Sequence, residues 1–193
     1  MRITDLLDKR SISLDAVCAS KSDALDQAVA LMVKSGKIND EEAYRKQVYL
    51  REEESTTGIG EGIAIPHGKC DAVTKPGLAA MVIKDGVDFD SLDDEPVNLL
   101  FLIAAPNTED NIHLDVLSKL SMLLMDENFV EKLKNASSVD EFLEIVDAAD
   151  EEKPDLNDQL AAQTETEGSV CRIIAVTSCP TGIAHTYMAA EGL

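Results

Sequence analysis

Apolar and polar positions change period several times along this chain, and each change predicts an element. Behind Ser22, the residues Leu25, Ala28, Val29 and Met32 recur at three- and four-residue spacing with Gly36 after them, which predicts a capped amphipathic helix. A second helix is predicted from Asn39 or Asp40 to about Glu53. The pattern then switches to short apolar runs. "GIAIPHG" reads as a short strand cut by Pro66, which leaves His67 on a turn, while "GLAAMVIK" (77–84) and "PVNLLFLIAAP" (96–106) read as buried strands. After Pro106, Asn107 or Thr108 is placed to cap a long helix with Ile112, Val116, Leu120 and Leu123 on one side and His113 in its first turn. Ser138 and Glu141 form a capping-box pattern ahead of Val139, Phe142, Leu143 and Val146, a last helix closing near residue 149. Together these make one α/β domain.

Beyond it the periodicity dissolves. Residues 147–168, DAADEEKPDLNDQLAAQTETEG, hold eight acidic residues against one lysine and almost no large apolar side chain, the composition of a solvated, largely disordered linker. "VCRIIAV" (170–176) then reads as a buried strand, and "TSCPTGIAHTYMAAEGL" as a loop entering a helix. One strand and part of a helix do not bury their own apolar faces. Residues 169–193 therefore read as the start of a second domain.

Composition narrows the class. At 193 residues and 45% hydrophobic, the chain suffices for one ordinary domain plus a remainder. No apolar run approaches the roughly 20 residues of a membrane span, and MRITDLLDKR lacks a secretory pattern. The cytoplasm is the expected compartment. The balance of 37 acidic to 17 basic residues gives a net charge of −20, which repels nucleic acid and anionic membranes and favours a protein partner with a positive face. Cys18, Cys70, Cys171 and Cys179 are widely scattered, so reduced thiols are expected.

Three groups of residues carry candidate chemistry. Neutral imidazole is nucleophilic near its ordinary pKa of about 6.5 and accepts a phosphoryl group without a metal-activated water. His67, just past a proline and flanked by Gly68, suits that role, with an ordinary surface turn as the alternative. His113 sits where a helix N-terminus favours an anion, or is simply a polar first-turn residue. Arg51, in a run followed by three glutamates, is either solvated or a phosphate partner. Cys179 stands at a strand end before Gly182 and a helix N-terminus, surroundings that make a thiol a phosphate-accepting thiolate; a structural thiol is the alternative. No Cys-x-x-Cys or His-x-x-x-His spacing supports zinc. A thiol-catalysis role for Cys70 lacks a third orienting group, and a redox role for Cys179 lacks a nearby resolving cysteine.

"GIGEGIAIPHG", with Arg51 upstream and "NTEDNIHLDVLSKL" downstream, resembles the enzyme IIA domain of the fructose/mannitol class of the bacterial phosphoenolpyruvate-dependent sugar phosphotransferase system. "VTSCPTGIAHTYMAAEGL" resembles the opening of a fructose-type enzyme IIB domain. The resemblance implies a mixed central sheet flanked by helices on both faces, with a IIA domain over 1–148, a linker over 149–168 and a IIB fragment over 169–193. It makes His67 the phosphorylated histidine, supplied by the histidine-containing phosphocarrier protein HPr. His113 and Arg51 then stabilise the phosphoryl oxygens, and Glu61 and Gly68, in the same motif, are implied as phosphate-binding residues. Cys179 becomes the next acceptor, with Pro180, Thr181, Gly182 and His185 in its phosphate loop. No cofactor is implied beyond the phosphoryl group carried covalently on His67. The implied partners are HPr and the IIB and membrane IIC domains of one permease, which places this segment at the inner face of the membrane without insertion. A regulatory IIA-like module, controlling a partner through its phosphorylation state, is the competing reading.

Overall fold

A computed structural model describes residues 2–107 and 112–152 of the chain. The chain opens with a short helix, α1 (Ile3–Leu6), and a strand, β1 (Leu7–Ala16). Two helices follow, α2 (Lys21–Lys34) and α3 (Glu41–Glu54), then the short strands β2 (Gly58–Gly60), β3 (Ile63–Ala64) and β4 (His67–Lys69). Two long strands, β5 (Gly77–Val87) and β6 (Val97–Ala105), precede the helices α4 (Ile112–Leu124), α5 (Glu127–Lys134) and α6 (Val139–Glu152).

The sheet runs β1-β5-β6-β3-β2, with β4 also paired to β6. It is mixed: β1 lies parallel to β5, β5 antiparallel to β6, and β3 and β4 parallel to β6. Side chains of successive strand residues point to opposite faces, and here both faces are apolar. Leu78, Ala80, Val82, Leu99, Phe101 and Ile103 enter one core with residues of α1, α4, α5 and α6. Ala79, Met81, Ile83, Leu100, Leu102 and Ala104 enter the other, against α2 and α3. Continuous apolar runs are what a strand covered on both sides requires, and the helices do flank both faces.

Helix starts follow local capping chemistry. Ser20, not Ser22, caps α2: its hydroxyl accepts from the Asp23 amide, while the Asp23 carboxylate accepts from the Ala19 amide. Asp40 caps α3 through the Ala43 amide. The Asn107 side chain donates to Asp71; Thr108, the other expected cap, lies outside the described residues, and α4 is described from Ile112. The helix expected to carry Ile112, Val116, Leu120 and Leu123 is α4, and a further helix that the sequence pattern did not predict, α5, starts where Asp126 accepts from the Asn128 and Phe129 amides. At α6, Ser138 accepts from the Glu141 amide, but the Glu141 carboxylate turns to Ser137 rather than closing the box on Ser138. That helix runs to Glu152, past the expected end near 149, because Asp150 is buried, accepts from the Ile3 amide at 2.9 Å and is ion-paired with Lys119 at 2.7 Å. The first residues of the expected linker are thus helical. The rest of it and the expected IIB fragment lie outside the described residues.

Phe142 is fully buried, its ring centroid 6.2 Å from that of Phe101. Phe142→Ala is expected to lower the unfolding free energy by about 3–5 kcal/mol, whereas Leu92→Ala, at a half-exposed position, should change it by no more than about 0.5 kcal/mol. Urea denaturation of the two variants checks the contrast.

Candidate functional site

His67 lies in a strand rather than a turn. Pro66 donates no amide, but its carbonyl accepts from the Ile103 amide at 2.9 Å, so pairing with β6 continues past the proline and puts His67 opposite Ile103. The chain leaves β6 after β3, crosses Ile65 and Pro66, and rejoins it at β4. This detour puts a backbone carbonyl beside the imidazole: Nδ1 lies 3.1 Å from the Ile65 oxygen. On the other side, the Arg51 Nε–H donates to Nε2 at 3.0 Å. A guanidinium only donates, so Nε2 is the acceptor and the ring proton sits on Nδ1, donated to Ile65. The ring is neutral in this arrangement, and its nucleophilic lone pair is on Nε2.

Arg51 reaches the ring because α3 packs closely on β4. Tyr44, Val48 and Arg51 recur at four- and three-residue spacing, one stripe of the helix. A Cβ built at Gly68 would lie 3.0 Å from Val48 Cγ2 and 3.1 Å from Tyr44 Cε2. The missing side chain at Gly68 therefore sets the helix-to-strand spacing, and the Tyr44 hydroxyl fastens the contact by donating to the Ile103 carbonyl at 3.0 Å. Arg51 also donates through Nη1 to the Ser55 carbonyl and hydroxyl at the end of its helix. Gly68 belongs to the motif as a spacer.

His113 lies in the first turn of α4. His67 is in register with Ile103, whose side chain points into the core shared with Val116, Leu117 and Leu120 of α4. The backbone of the α4 start thus stands on the sheet face toward which the His67 position is directed. Glu61 is elsewhere. It occupies the tip of the β2–β3 hairpin with a positive φ of 56°, its amide bonded to Asp93 and its carbonyl to Lys134. The Gly62 carbonyl accepts from the Asn98 amide, so five residues of β6, roughly 16 Å of strand, separate that tip from the level of His67. The structure brings together Arg51, His67 and Gly68 and does not bring Glu61 to them. Cys179, Pro180, Thr181, Gly182 and His185 lie outside the described residues.

The sequence reading passed over the contributions of Ile65 and Ser55, because both act partly or wholly through a backbone carbonyl that no residue type advertises. Cys70, three positions after His67, is pushed up from the ordinary thiol range, because burial outweighs the hydrogen bonds from the Ala72 and Val73 amides. Cys18 is pushed up to about 11, first by burial and then by the Asp23 charge. Neither is poised as a nucleophile. Among the described residues, no group of three or more His, Cys, Asp or Glu is arranged to hold a metal ion, and no helix is long and apolar enough to cross a membrane.

A mixed sheet covered by helices on both faces is also the fold of solved phosphotransferase IIA structures. Residues 5–149 match the family described as phosphoenolpyruvate-dependent sugar phosphotransferase system, EIIA 2, and the chain belongs to that family. Its members are phosphotransferase components. The chain is 44% identical over 193 residues, its whole length, to the PTS system fructose-specific EIIABC component of Bacillus subtilis, of which it spans 30%. The IIA-Ntr nitrogen regulatory protein of Neisseria meningitidis superposes with a TM-score of 0.70 at 30% identity, covering 75% of this chain and 98% of that one. The mannitol enzyme IIA of Escherichia coli, solved in complex with phosphorylated enzyme IIB, gives 0.64 at 34% identity, covering 72% and 96%.

Two outcomes test the site. Gly68→Ala should force α3 away from β4, costing about 1–3 kcal/mol in urea denaturation and removing the slowly exchanging Arg51 Nε–H proton signal. Because the folded thiols titrate above the ordinary range, their thiolate fraction is small at pH 8 and grows as pH rises. Alkylation of Cys18 and Cys70 by iodoacetamide at pH 8, followed by peptide mass mapping, should be about tenfold or more slower than for free cysteine.

Proposed function

We propose that this chain is the IIA part of a fructose-specific permease, relaying a phosphoryl group from HPr through His67 to Cys179. The observation that carries the reading is the pair of bonds on the His67 ring. Ile65 holds the Nδ1 proton, so Nε2 faces the donor as an unprotonated lone pair. On arrival of the donor, Arg51 exchanges the ring nitrogen for a phosphoryl oxygen, which frees the Nε2 lone pair. Nε2 then attacks phosphorus in line while the bond from phosphorus to the donor histidine nitrogen breaks, the electron pair leaving with that nitrogen, and His113, at the start of α4, serves the remaining oxygens. Arg51 and His113 supply positive or hydrogen-bonding character where charge is held, and the rest of the work is positioning. The phosphoryl group rides covalently on His67, and no cofactor takes part.

The onward step transfers the group from Nε2 to the Cys179 thiolate, within the phosphate loop of Pro180, Thr181, Gly182 and His185. The acidic stretch of 149–168 acts as the tether between the IIA domain of 1–148 and the IIB start of 169–193, raising the local concentration of one at the other. The full-length match to a fructose-specific EIIABC component supports the fructose assignment and the IIB and IIC partners, and the mannitol IIA–IIB complex supports direct docking of the two domains. The whole assembly then works at the cytoplasmic face of a membrane. The likeness to IIA-Ntr favours a second reading, in which phosphorylation of His67 controls the binding of a partner protein and stops there.

Intact mass after incubation with phosphoenolpyruvate, enzyme I and HPr tests the relay. One acid-labile phosphoryl group is expected, absent from His67→Ala and retained in Cys179→Ser. Arg51→Ala should slow its appearance about 10²–10³-fold. Uptake on His67 that never chases onto a separate, complete IIB domain would favour the regulatory reading; no uptake at His67 would overturn both.

A further inference from the structure

Glu52 and Thr57 make no contact with the His67 ring, yet a buried network built on them reaches both sides of it. The Glu52 side chain is 6% exposed. One carboxylate oxygen accepts from the Thr57 amide at 2.9 Å and is ion-paired with Lys21 Nζ at 2.9 Å, and the other accepts from the Thr57 hydroxyl at 2.6 Å. Thr57 is itself 3% exposed. Its carbonyl accepts from the Ile65 amide at 3.0 Å, and the Ile65 carbonyl is the one that takes the Nδ1 proton of His67. Along the other arm, Glu52 is the helical neighbour of Arg51, whose Nε–H holds Nε2.

We infer that Glu52 is a positioning residue for phosphoryl transfer at His67: through Thr57 and Ile65 it fixes the ring, and through α3 it fixes Arg51 against that ring. The inference rests on His67 being the phosphoryl acceptor. A doubly accepting carboxylate buried between α3 and β2 is a costly choice for filling space, since an apolar residue of the same volume serves packing as well or better. What the carboxylate adds is geometry. It ties the end of α3 to the first residues of the β2–β4 segment at two points of Thr57, so the donor to Nε2 and the acceptor from Nδ1 are held by a single brace. Lys21 secures the brace to α2, its ammonium also paired with Asp90 and lying 4.9 Å from the Phe89 ring centroid. A chain of hydrogen bonds that begins at a charge also polarises each member, which favours the Nδ1–H form of the imidazole.

Glu52→Gln keeps the shape but turns one acceptor into a donor. Thr57→Val removes the hydroxyl and keeps the amide, and Thr57→Ser restores the hydroxyl. The single-turnover rate of His67 phosphorylation from phosphorylated HPr is expected to fall about tenfold in Glu52→Gln and Thr57→Val, and to stay near native in Thr57→Ser. The ¹⁵N signals of the His67 ring should show one tautomer, protonated at Nδ1, in the native chain and in Thr57→Ser, and shift toward averaged values in the other two. Ser11→Ala is the reference for a merely structural loss. Its buried hydroxyl bonds the Leu78 carbonyl on β5, and β5 and β6 stand between it and β4; it should lower stability without moving the His67 signals. Native ring signals and rate in Glu52→Gln and Thr57→Val would overturn the inference, as would ring shifts of equal size in Ser11→Ala. If Glu52→Gln does not fold, the contrast between Thr57→Val and Thr57→Ser decides. If the native chain takes up no phosphoryl group, the relay reading falls, and the ring signals alone support or overturn the brace.

Discussion

The backbone of β6 is the constraint on which fold and site both depend. Along one edge it pairs with β5, and along the other it pairs first with β3 and then, after a two-residue detour, with β4. Its side chains alternate into two separate cores. A strand with partners on both edges and helices on both faces has no freedom to slip, because a one-residue shift would exchange its two sets of side chains. His67 inherits that fixity through its register with Ile103. The same carbonyl of Ile103 is fastened from above by the Tyr44 hydroxyl, so the helix that delivers Arg51 is referenced to the same strand as the histidine it serves.

In the proposed relay, fixity of this kind suits a group that offers its lone pair to a macromolecule. A histidine free to rotate or to exchange tautomers spends part of its time with the proton on the attacking nitrogen. Here the backbone oxygen of Ile65 at Nδ1 and the guanidinium of Arg51 at Nε2 select one form. The choice of a neutral carbonyl matters: an ionised carboxylate in its place would favour the imidazolium, which has no lone pair to offer. Arg51 also supplies positive charge next to the ring, where a phosphoryl group arriving on Nε2 would bring negative charge.

Much of this was legible in the sequence, and the failures have physical causes. The two buried strands and the helices beginning near Ser20 and Asp40 followed from apolar period and capping residues. β1 escaped notice because its pattern is broken. Between its pairings Leu7↔Leu78 and Ile12↔Ala80, five residues advance against two, and Ser11 closes the bulge onto the Asp8 and Leu78 carbonyls. α5 escaped notice because it is only eight residues long, too short for its apolar period to stand out, and its start is marked by nothing but the Asp126 cap. At the site, His67 and Arg51 were recognisable as residue types, but the turn expected around His67 proved to be a strand. A proline ends a strand only where its missing donor is needed, and here only its carbonyl faces β6. Glu61, singled out by its place in the motif, owes that place to the hairpin: its positive φ and its bonds to Asp93 and Lys134 are turn chemistry.

The first and last helices of the domain are stitched to each other. Asp150 takes the Ile3 amide and Lys119, while Asp147 takes the Arg2 guanidinium and the Thr4 hydroxyl. The start of α1 and the end of α6 therefore lie together at one corner, beside the edge strand β1. A mechanical load applied to the chain where α6 ends runs first into these ion pairs and hydrogen bonds. The strand ladder that holds the histidine stands behind them, outside the direct line of force. Motion of whatever is attached there would strain the stitching before it disturbed the register of β4.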